Sequence, residues 1–346
     1  MGSLALSRVS DNIGMRAWLM DCYEGVEKLR LAEVADPQPG SGEILLRVRY
    51  AALNPADAFL AKGMYPAKPK FPHILGRDAV GEVVAAGPGV QHPKVGDTVG
   101  ILRCDVGVSV RGTLAEMVVA PAASTAPIPE GWSPEEMAAA PLVFLTAWQA
   151  LTQWSETADP PAAGSVLLVT GASGGVGVAS VLLGKSMGLQ IVALSRSAAK
   201  AGRLKELGAD AAFSPEDPEL RAKVMAAIAP KKVDLAVDSV GGPLFAQVIA
   251  MLGYAGKISV VGRSGGAVPE FNTGTLFFRR NRIGGVAVGD YTADTARTAW
   301  LEIVRRMGEA GARPVIDGVF PFDQVVAAFG RLAQGPMGKV VVRIAG

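Results

Sequence analysis

The stretch VLLVTGASGGVGVAS, residues 166–180, decides the fold of this chain. A short apolar run typical of a buried strand leads into Gly171, and three more glycines follow before an apolar helical segment. Glycine permits a positive φ and lets the backbone approach a pyrophosphate closely. The helix N-terminus offers that anion unpaired N–H groups and about half a positive charge. Strand, glycine turn and helix together predict a dinucleotide site. Its predicted contacts are Gly171, Ser173, Gly174, Gly175, Val176 and Gly177.

Strands and helices alternate after this motif. IVALS (191–195), VDLAVDSVGG (233–242) and KISVVG (257–262) have the apolar character of buried strands, and the helical segment AAKAGRLKELG (198–208) lies between the first two. This βαβ order predicts the α/β class with a parallel, doubly wound sheet. Ligands of such sheets bind where strands end, so the turn after residue 238 is the second predicted contact. Its cofactor-binding residues are Ser239, Val240 and Gly241.

The residues after the second strand indicate which dinucleotide is bound. In NAD sites an acidic residue about 20 positions beyond the glycine motif binds the adenosine ribose. Here Ser195 and Arg196 follow the strand, Lys200 lies one helical turn later, and no acid stands among them. Arg196 can pair with a 2′-phosphate through charge-assisted hydrogen bonds, with Ser195 and Lys200 adding to it. The sequence therefore predicts NADP(H), and the alternative for Arg196 is a solvated loop arginine.

The residues before the nucleotide motif are of a different kind. MRAWLM (15–20), EILLRVRYAAL (43–53) and AVGEVVAAG (79–87) alternate or run apolar between Gly, Pro and Asp residues. Short strands at this spacing predict a barrel or a sandwich. Ser133 as N-cap and Pro134 at the first helical position then mark the start of the helical part.

Composition excludes several classes of protein. Lys plus Arg number 34 against 32 for Asp plus Glu, so there is no basic surplus for a nucleic-acid or anionic-membrane partner. Two cysteines, Cys22 and Cys104, are too few for a disulfide framework or a four-cysteine zinc site. The opening residues have no signal-peptide pattern, and no apolar run is long enough to span a membrane. We expect a soluble, cytoplasmic protein.

Seven segments occur in the order and spacing of the medium-chain dehydrogenase/reductase superfamily. They are LNPAD (53–57), GMYP (63–66), LGRDAVGEVVAAGPGV (75–90), VGDTV (95–99), LTAWQAL (145–151), GASGGVG (171–177) and DSVGG (238–242). Within that superfamily the chain resembles the zinc-independent quinone oxidoreductase branch, the zeta-crystallin-like enzymes. The resemblance implies a GroES-like β-barrel catalytic domain over 1–134, to which 300–346 return, and a Rossmann NADP(H)-binding domain over 135–299.

The resemblance also bears on metal binding. Zinc alcohol dehydrogenases of this superfamily have Gly-His-Glu in the turn where this chain has Gly76, Arg77 and Asp78, and a cysteine ligand where it has Asn54. Catalytic zinc takes three nitrogen, sulfur or carboxylate ligands plus water. Two of the expected ligand positions hold Asn54 and Arg77 in this chain, so no metal is expected. Arg77 and Asp78 are interpreted as structural or cleft-lining residues. His73 and Cys104 are the alternative donors for a metal.

The resemblance places Asn54, Asp57, Tyr65 and Thr146 around the nicotinamide and the substrate. Tyr65 is predicted to donate a hydrogen bond to the substrate carbonyl, while Asn54 and Thr146 orient the substrate and the nicotinamide. Each residue has a purely structural alternative. Asn54 can cap a turn, Tyr65 can be a packed loop aromatic, and Thr146 can bond its own helix backbone.

With no zinc expected, the resemblance implies hydride transfer from NADPH to an activated acceptor, because removing a proton and a hydride from an alcohol is difficult without a Lewis acid. The acceptor is a quinone or an α,β-unsaturated carbonyl, oriented by the protein while an oxyanion develops. Two alternatives stay open: an enoyl-thioester or enone reductase of the same superfamily, and a non-catalytic NADPH-binding protein. A homodimer is expected through the edge strand near 283–288. Beside it, Arg279, Arg280 and Arg282 are interpreted as a solvated cluster.

Overall fold

The computed structural model describes residues 14–267 and 270–345, which form a mixed sheet, a small antiparallel sheet and a parallel sheet. The first thirteen residues, to which the absence of a signal-peptide pattern refers, lie outside the described part. Among the described helices, none has both the length and the apolar character needed to cross a membrane.

The N-terminal part of the chain is mostly strand. Its elements are β1 (Met15–Met20), β2 (Arg30–Val34), β3 (Glu43–Ala52), α1 (Pro55–Ala61), β4 (His73–Ile74), β5 (Asp78–Ala86), β6 (Thr98–Ile101), β7 (Met117–Pro121), β8 (Thr125–Pro127) and α2 (Pro134–Ala139). Strand β3 pairs antiparallel with both β5 and β7. Its Ile44, Leu46 and Val48 are buried whereas Arg47 and Arg49 are exposed. This period of two places one face of the sheet on the core.

The central part of the chain is the doubly wound sheet predicted from the sequence, and the structure confirms it. Its elements are α3 (Pro141–Thr152), β9 (Val166–Val169), α4 (Gly175–Ser186), β10 (Gln190–Leu194), α5 (Ala198–Glu206), β11 (Ala211–Phe213), α6 (Leu220–Ile228), β12 (Val233–Asp238), α7 (Gly242–Met251), β13 (Leu252–Val260), α8 (Gly274–Arg279) and β14 (Arg282–Gly285). The strands are parallel, in the order β11-β10-β9-β12-β13-β14. The order reverses beside β9, where such sheets bind dinucleotides.

The C-terminal segment joins the two parts. It contains α9 (Ala293–Glu309), β15 (Ile316–Pro321), α10 (Val325–Ala333) and β16 (Lys339–Arg343). Helix α9 extends across the boundary predicted at residues 299/300 and packs on α3 and α4 through a core that includes Trp300 and Ile303. The return to the N-terminal sheet therefore starts at β15. Strand β16 then pairs antiparallel with β3 and carries Lys339 between the two parts.

Candidate active site

The predicted phosphate turn links β9 to α4. Gly171 has a φ of +57°, and a Cβ there would lie 2.5 Å from Ser239 Oγ. A Cβ on Gly177 would clash with the Gly171 carbonyl oxygen, so only glycine lets the helix pack against this turn. The Val178 N–H donates to the Gly174 carbonyl at 2.8 Å, which fixes where the helix begins. The N–H groups of this first turn lack intrahelical partners, an arrangement that suits an anion such as a pyrophosphate. Ser173, Gly175 and Val176 are half-buried along it.

The predicted adenosine side lies at the end of β10. Ser195 is buried, and its Oγ donates to Ser173 Oγ at 3.4 Å, which places it directly beside the phosphate turn. Arg196 is exposed next to it. Lys200 donates instead to the Gly335 carbonyl, and burial lowers its pKa. The structure thus brings Ser195 to the phosphate turn, leaves Arg196 exposed beside it, and holds the Lys200 ammonium against the C-terminal segment.

The second predicted turn follows β12, on the other side of β9. The buried Asp238 carboxylate accepts from Thr170 Oγ1 at 2.5 Å and from the Gly241 N–H at 3.1 Å. Ser239 Oγ donates to the Thr170 carbonyl at 3.0 Å, which holds this turn against Gly171. Asp238 therefore builds the turn by accepting hydrogen bonds from the Gly241 N–H within it and from Thr170 beside it. With Val240, these residues lie together with the phosphate turn at the carboxyl edge of the sheet.

A set of buried polar side chains lies between the N-terminal sheet and the phosphate turn, and we call it the Asn54–Asp78–Lys339 cluster. Asn54 is the N-cap of α1, and its Nδ2 donates to Asp78 Oδ2 at 2.9 Å. Lys339 Nζ donates to Asn54 Oδ1 at 2.6 Å and to Asp78 Oδ2 at 3.0 Å. Asp78 Oδ1 accepts from the Leu142 N–H at 3.1 Å. Each side-chain polar atom of the cluster has a partner, as buried charges require.

Lys339 was not among the predicted site residues, yet it connects this cluster to the phosphate turn. A Cβ added to Gly175 would lie 3.1 Å from Lys339 Cδ and 2.9 Å from Val143 Cγ1. The Gly338 N–H donates to the Ser173 carbonyl at 2.8 Å. The lack of a side chain at Gly175 thus allows the helix to pack closely against Lys339 of strand β16. In the sequence the only signal was a lysine at the start of an apolar strand.

Arg77 and Tyr65 form a pair beside the cluster. Arg77 Nη1 donates to Tyr65 Oη at 3.2 Å, and the guanidinium carbon lies 4.6 Å from the ring centroid, a cation–π geometry. Arg77 Nε lies 3.6 Å from Asp57 Oδ1. Asp57 is buried, and its other oxygen accepts from the Asn54 N–H at 2.8 Å. Burial raises the pKa of Asp57 from 3.8 to about 6, against the opposing effect of Arg77.

The stability of the protein is expected to depend on this carboxyl group. Because the folded protein holds the Asp57 proton more tightly than the unfolded chain, its contribution is full below pH 3.8 and is lost as the pH rises through about 6. A shift of this size corresponds to about 3 kcal/mol. Asp57→Asn should therefore gain stability relative to wild type between pH 4 and pH 8, by at most about that amount. Urea unfolding at both pH values measures this.

The exposed Asp323→Asn variant is the matched control, because the carboxyl of Asp323 stays in water in both states. The change in stability difference between the two pH values should be larger for Asp57→Asn than for this control. A stability difference of Asp57→Asn that does not change with pH would contradict the raised pKa of Asp57.

Thr146 lies on α3 and is half-buried. Its Oγ1 donates to the Leu142 carbonyl at 2.7 Å, which is the intrahelical bond named as the structural alternative. The oxygen still has lone pairs that can accept from a ligand. Through Leu142, whose N–H reaches Asp78, Thr146 adjoins the buried cluster. The three predicted catalytic residues, Tyr65, Asn54 and Thr146, thus belong to one connected network.

The cluster does not fit a catalytic zinc ion. The ammonium of Lys339 stands between Asn54 Oδ1 and Asp78 Oδ2, where a metal would need unopposed donors. Over residues 14–267 and 270–345, no three His, Cys, Asp or Glu side chains are grouped so that they could hold a metal. Burial lowers the pKa of His73 to about 4 and raises that of the Cys104 thiol to about 11.

Comparisons with known proteins match both parts of the chain. Residues 40–130 match the family model described as alcohol dehydrogenase GroES-like domain, and residues 175–307 match the model described as zinc-binding dehydrogenase. The chain is 33% identical over 323 residues to the chloroplastic quinone-oxidoreductase homolog of Spinacia oleracea, covering 92% of this chain and 94% of that protein. The zinc of the second description has no matching donor set in the Asn54–Asp78–Lys339 cluster.

Two solved structures are similar along nearly the whole chain. An NAD-dependent alcohol dehydrogenase is 32% identical with a TM-score of 0.87, and the match covers 96% of this chain and 100% of that one. A mycobacterial protein complexed with NADPH is 27% identical with a TM-score of 0.84, and the match covers 95% and 100%. Both are described with a nicotinamide cofactor, one as NAD-dependent and the other with NADPH bound.

Proposed function

Because the chain belongs to the medium-chain dehydrogenase/reductase superfamily and is an oxidoreductase with a nicotinamide cofactor, we propose that it transfers hydride from NADPH to a quinone or an α,β-unsaturated carbonyl. The observation that carries this proposal is the hydrogen bond from Arg77 to the Tyr65 hydroxyl. This bond leaves the hydroxyl hydrogen of Tyr65 available to a substrate carbonyl oxygen, in a site whose residues do not fit a metal ion. Enoyl-thioester reduction is the second candidate, since its acceptor is the same conjugated carbonyl.

Tyr65 is suited to polarise the acceptor. Arg77 donates to its oxygen, so the hydroxyl hydrogen is free to be donated elsewhere, and the neighbouring cation strengthens it as a donor. Tyr65 is half-buried whereas Asn54 and Asp57 are buried, so it is the group that a substrate can reach. As hydride arrives, the acceptor oxygen gains negative charge, and a hydrogen bond aimed at that oxygen lowers the barrier.

The residues of the phosphate turn fit a dinucleotide. NADPH supplies the hydride when it is bound. The first turn of α4 would bind the pyrophosphate, and the turn at 239–241 would face the nicotinamide ribose. Asn54 is fixed by hydrogen bonds to Asp78 and Lys339, so it can keep the substrate side of the site rigid. The Thr146 oxygen can accept a hydrogen bond from a ligand.

Arg196 is proposed to select NADPH over NADH. Removing its guanidinium in Arg196→Ala should weaken NADPH binding by about 1.5–3 kcal/mol, or about 10- to 150-fold, because an ionic hydrogen bond to the 2′-phosphate is lost. NADH lacks that phosphate, so its Kd should stay nearly the same. Fluorescence titration with both cofactors measures the two constants.

The matched control is Arg221→Ala, which removes an exposed arginine from α6. It should leave both cofactor affinities unchanged. If Arg196→Ala weakened NADPH and NADH equally, the 2′-phosphate would not be the group that Arg196 contacts.

The proposed activity is tested by following NADPH oxidation with 1,4-benzoquinone, 9,10-phenanthrenequinone, 2-cyclohexenone and crotonyl-CoA, with and without a chelator. Turnover that resists the chelator supports the metal-free reductase, and the best acceptor decides between quinone and enone. Binding of NADPH without turnover of any acceptor would favour the non-catalytic NADPH-binding alternative.

We further propose that the protein is a cytoplasmic homodimer that pairs through β14. That strand has β13 as its neighbour in the described sheet, so its other edge presents backbone groups for pairing. Ile283 on the strand and Phe277, Phe278 and Tyr254 nearby are exposed apolar side chains. Light scattering should give twice the 35.7 kDa mass of one chain, and Ile283→Asp should give the single mass. A monomeric wild type would contradict this proposal.

A further inference from the structure

A basic crevice lies on the N-terminal part of the molecule beside the loop that carries Tyr65. It has room for ≈ 530 Å³, within the size range of small-molecule sites. Its lining includes Lys68, Lys70 and Arg111 together with the apolar surfaces of Phe71 and Val110. Among the residues that the structure describes, no carboxylate lines the crevice. The chain as a whole has 34 basic and 32 acidic residues, so this crevice concentrates a positive charge that the protein otherwise balances.

Lys68 connects the crevice to the proposed active site. Its Nζ donates to the Gly63 carbonyl at 3.0 Å and to the Tyr65 carbonyl at 3.4 Å. It also lies 5.1 Å from the ring centroid of Tyr23. An ammonium has three hydrogens to donate, so one remains for a ligand while the others fix its position. A preorganised cation of this kind loses little entropy when an anion binds.

His73 at the crevice gives an independent indication of a ligand. The residue is 1% exposed, and its Nε2 has no hydrogen-bond partner within residues 14–267 and 270–345. A buried polar atom without a partner costs about 1–3 kcal/mol, so such atoms in native proteins call for an explanation. His73 is also part of the crevice lining. The wall of the crevice therefore contains a buried nitrogen without a partner.

The crevice is close enough to serve the same substrate as Tyr65. His73 and Arg77 are four residues apart, which limits their separation to about 14 Å even in a fully extended chain. Arg77 in turn donates to Tyr65. A substrate could therefore place a charged group in the crevice and its reacting carbonyl at Tyr65 if a long flexible arm joined the two.

We propose that this crevice binds the phosphate groups of the acceptor, which is then an enoyl thioester on a phosphate-bearing handle such as coenzyme A. This inference rests on the proposed function and names the acceptor class for it. Free quinones and simple enones have no phosphate for the three cations to bind. In the reaction the β-carbon takes the hydride, the α-carbon takes a proton from water, and NADPH is oxidised to NADP⁺. The thioester bond stays intact.

The test uses the double variant Lys70→Gln/Arg111→Gln, which removes two charges from exposed side chains. Calorimetry measures the Kd of coenzyme A itself, and steady-state assays compare crotonyl-CoA with the crotonyl thioester of N-acetylcysteamine, which lacks phosphates. The double variant should raise the Kd of coenzyme A and the KM of crotonyl-CoA at least about tenfold, since each lost ionic hydrogen bond is worth about that factor. The KM values of the short thioester and of 2-cyclohexenone should be unaffected, and so should the Kd of NADPH.

The control double variant Lys205→Gln/Arg221→Gln removes the same charge from α5 and α6 and should change none of these values. Equal effects on both thioesters, or coenzyme A binding that the crevice variant does not alter, would overturn the proposal. Inorganic pyrophosphate that binds as tightly as coenzyme A would also overturn it, because the site would then accept any phosphate. Coenzyme A binding lost in the variant, without turnover of any acceptor by wild type, would support the crevice and refute the reductase.

Discussion

Replacing Lys339 with methionine should lower the free energy of unfolding by about 3–5 kcal/mol, the usual cost of removing one partner from a buried ion pair. Methionine has a similar length and fills the same space without the charge. The variant leaves the Asp78 carboxylate, whose side chain is 1% exposed, without the ammonium 3.0 Å away. Asn54 Oδ1 loses its donor as well. Urea unfolding at neutral pH measures the loss.

Two controls separate this effect from a general loss of lysine. Lys205→Met removes an exposed lysine of α5 and should change stability by less than about 0.5 kcal/mol. The double variant Lys339→Met/Asp78→Asn removes both charges, so it should be more stable than the sum of the two single losses predicts. Additive losses in this cycle, or a free energy of unfolding that Lys339→Met leaves unchanged, would show that the pair does not stabilise the fold.

The turns of the candidate nucleotide site could be predicted from the sequence because their signals are local. Gly171 needs a positive φ and Gly177 needs close packing, and both requirements act within a few residues of the strand and helix they join. The alternation of apolar strands with helices then predicts the parallel sheet, whose strand ends meet at one edge. The resemblance to the medium-chain superfamily, which the comparisons confirm, rests on the same short segments.

The buried cluster could not be predicted in the same way because its partners are far apart in the chain. Lys339 and Asn54 are separated by 285 positions, and their contact exists only because β16 pairs with β3. A lysine that precedes three valines indicates the start of a strand and nothing about a carboxylate. The sequence predicted that Arg77 and Asp78 replace metal ligands, but not that Asp78 binds Lys339 while Arg77 stacks on Tyr65.

Tyr65→Phe should lower the rate constant of hydride transfer by about 10²- to 10³-fold, the typical cost of removing one donor from an oxyanion site. Phenylalanine keeps the ring under the Arg77 guanidinium, so the cation–π contact 4.6 Å from the centroid is preserved. NADPH affinity should stay the same because Tyr65 lies outside the phosphate and ribose turns. Single-turnover measurements with a quinone and with an enone isolate the chemical step from product release.

The exposed Tyr254→Phe variant removes the same hydroxyl from the start of β13, the end of the parallel sheet opposite to the phosphate turn, and should have the wild-type rate. Arg77→Met is the informative companion. If Arg77 acts by strengthening the Tyr65 donor, its loss should slow wild type but have little further effect in the Tyr65→Phe background, because the hydroxyl it acts on is already gone. Independent, additive losses would mean that Arg77 acts on the substrate directly. An unchanged rate in Tyr65→Phe with both acceptors would remove this hydroxyl from the mechanism.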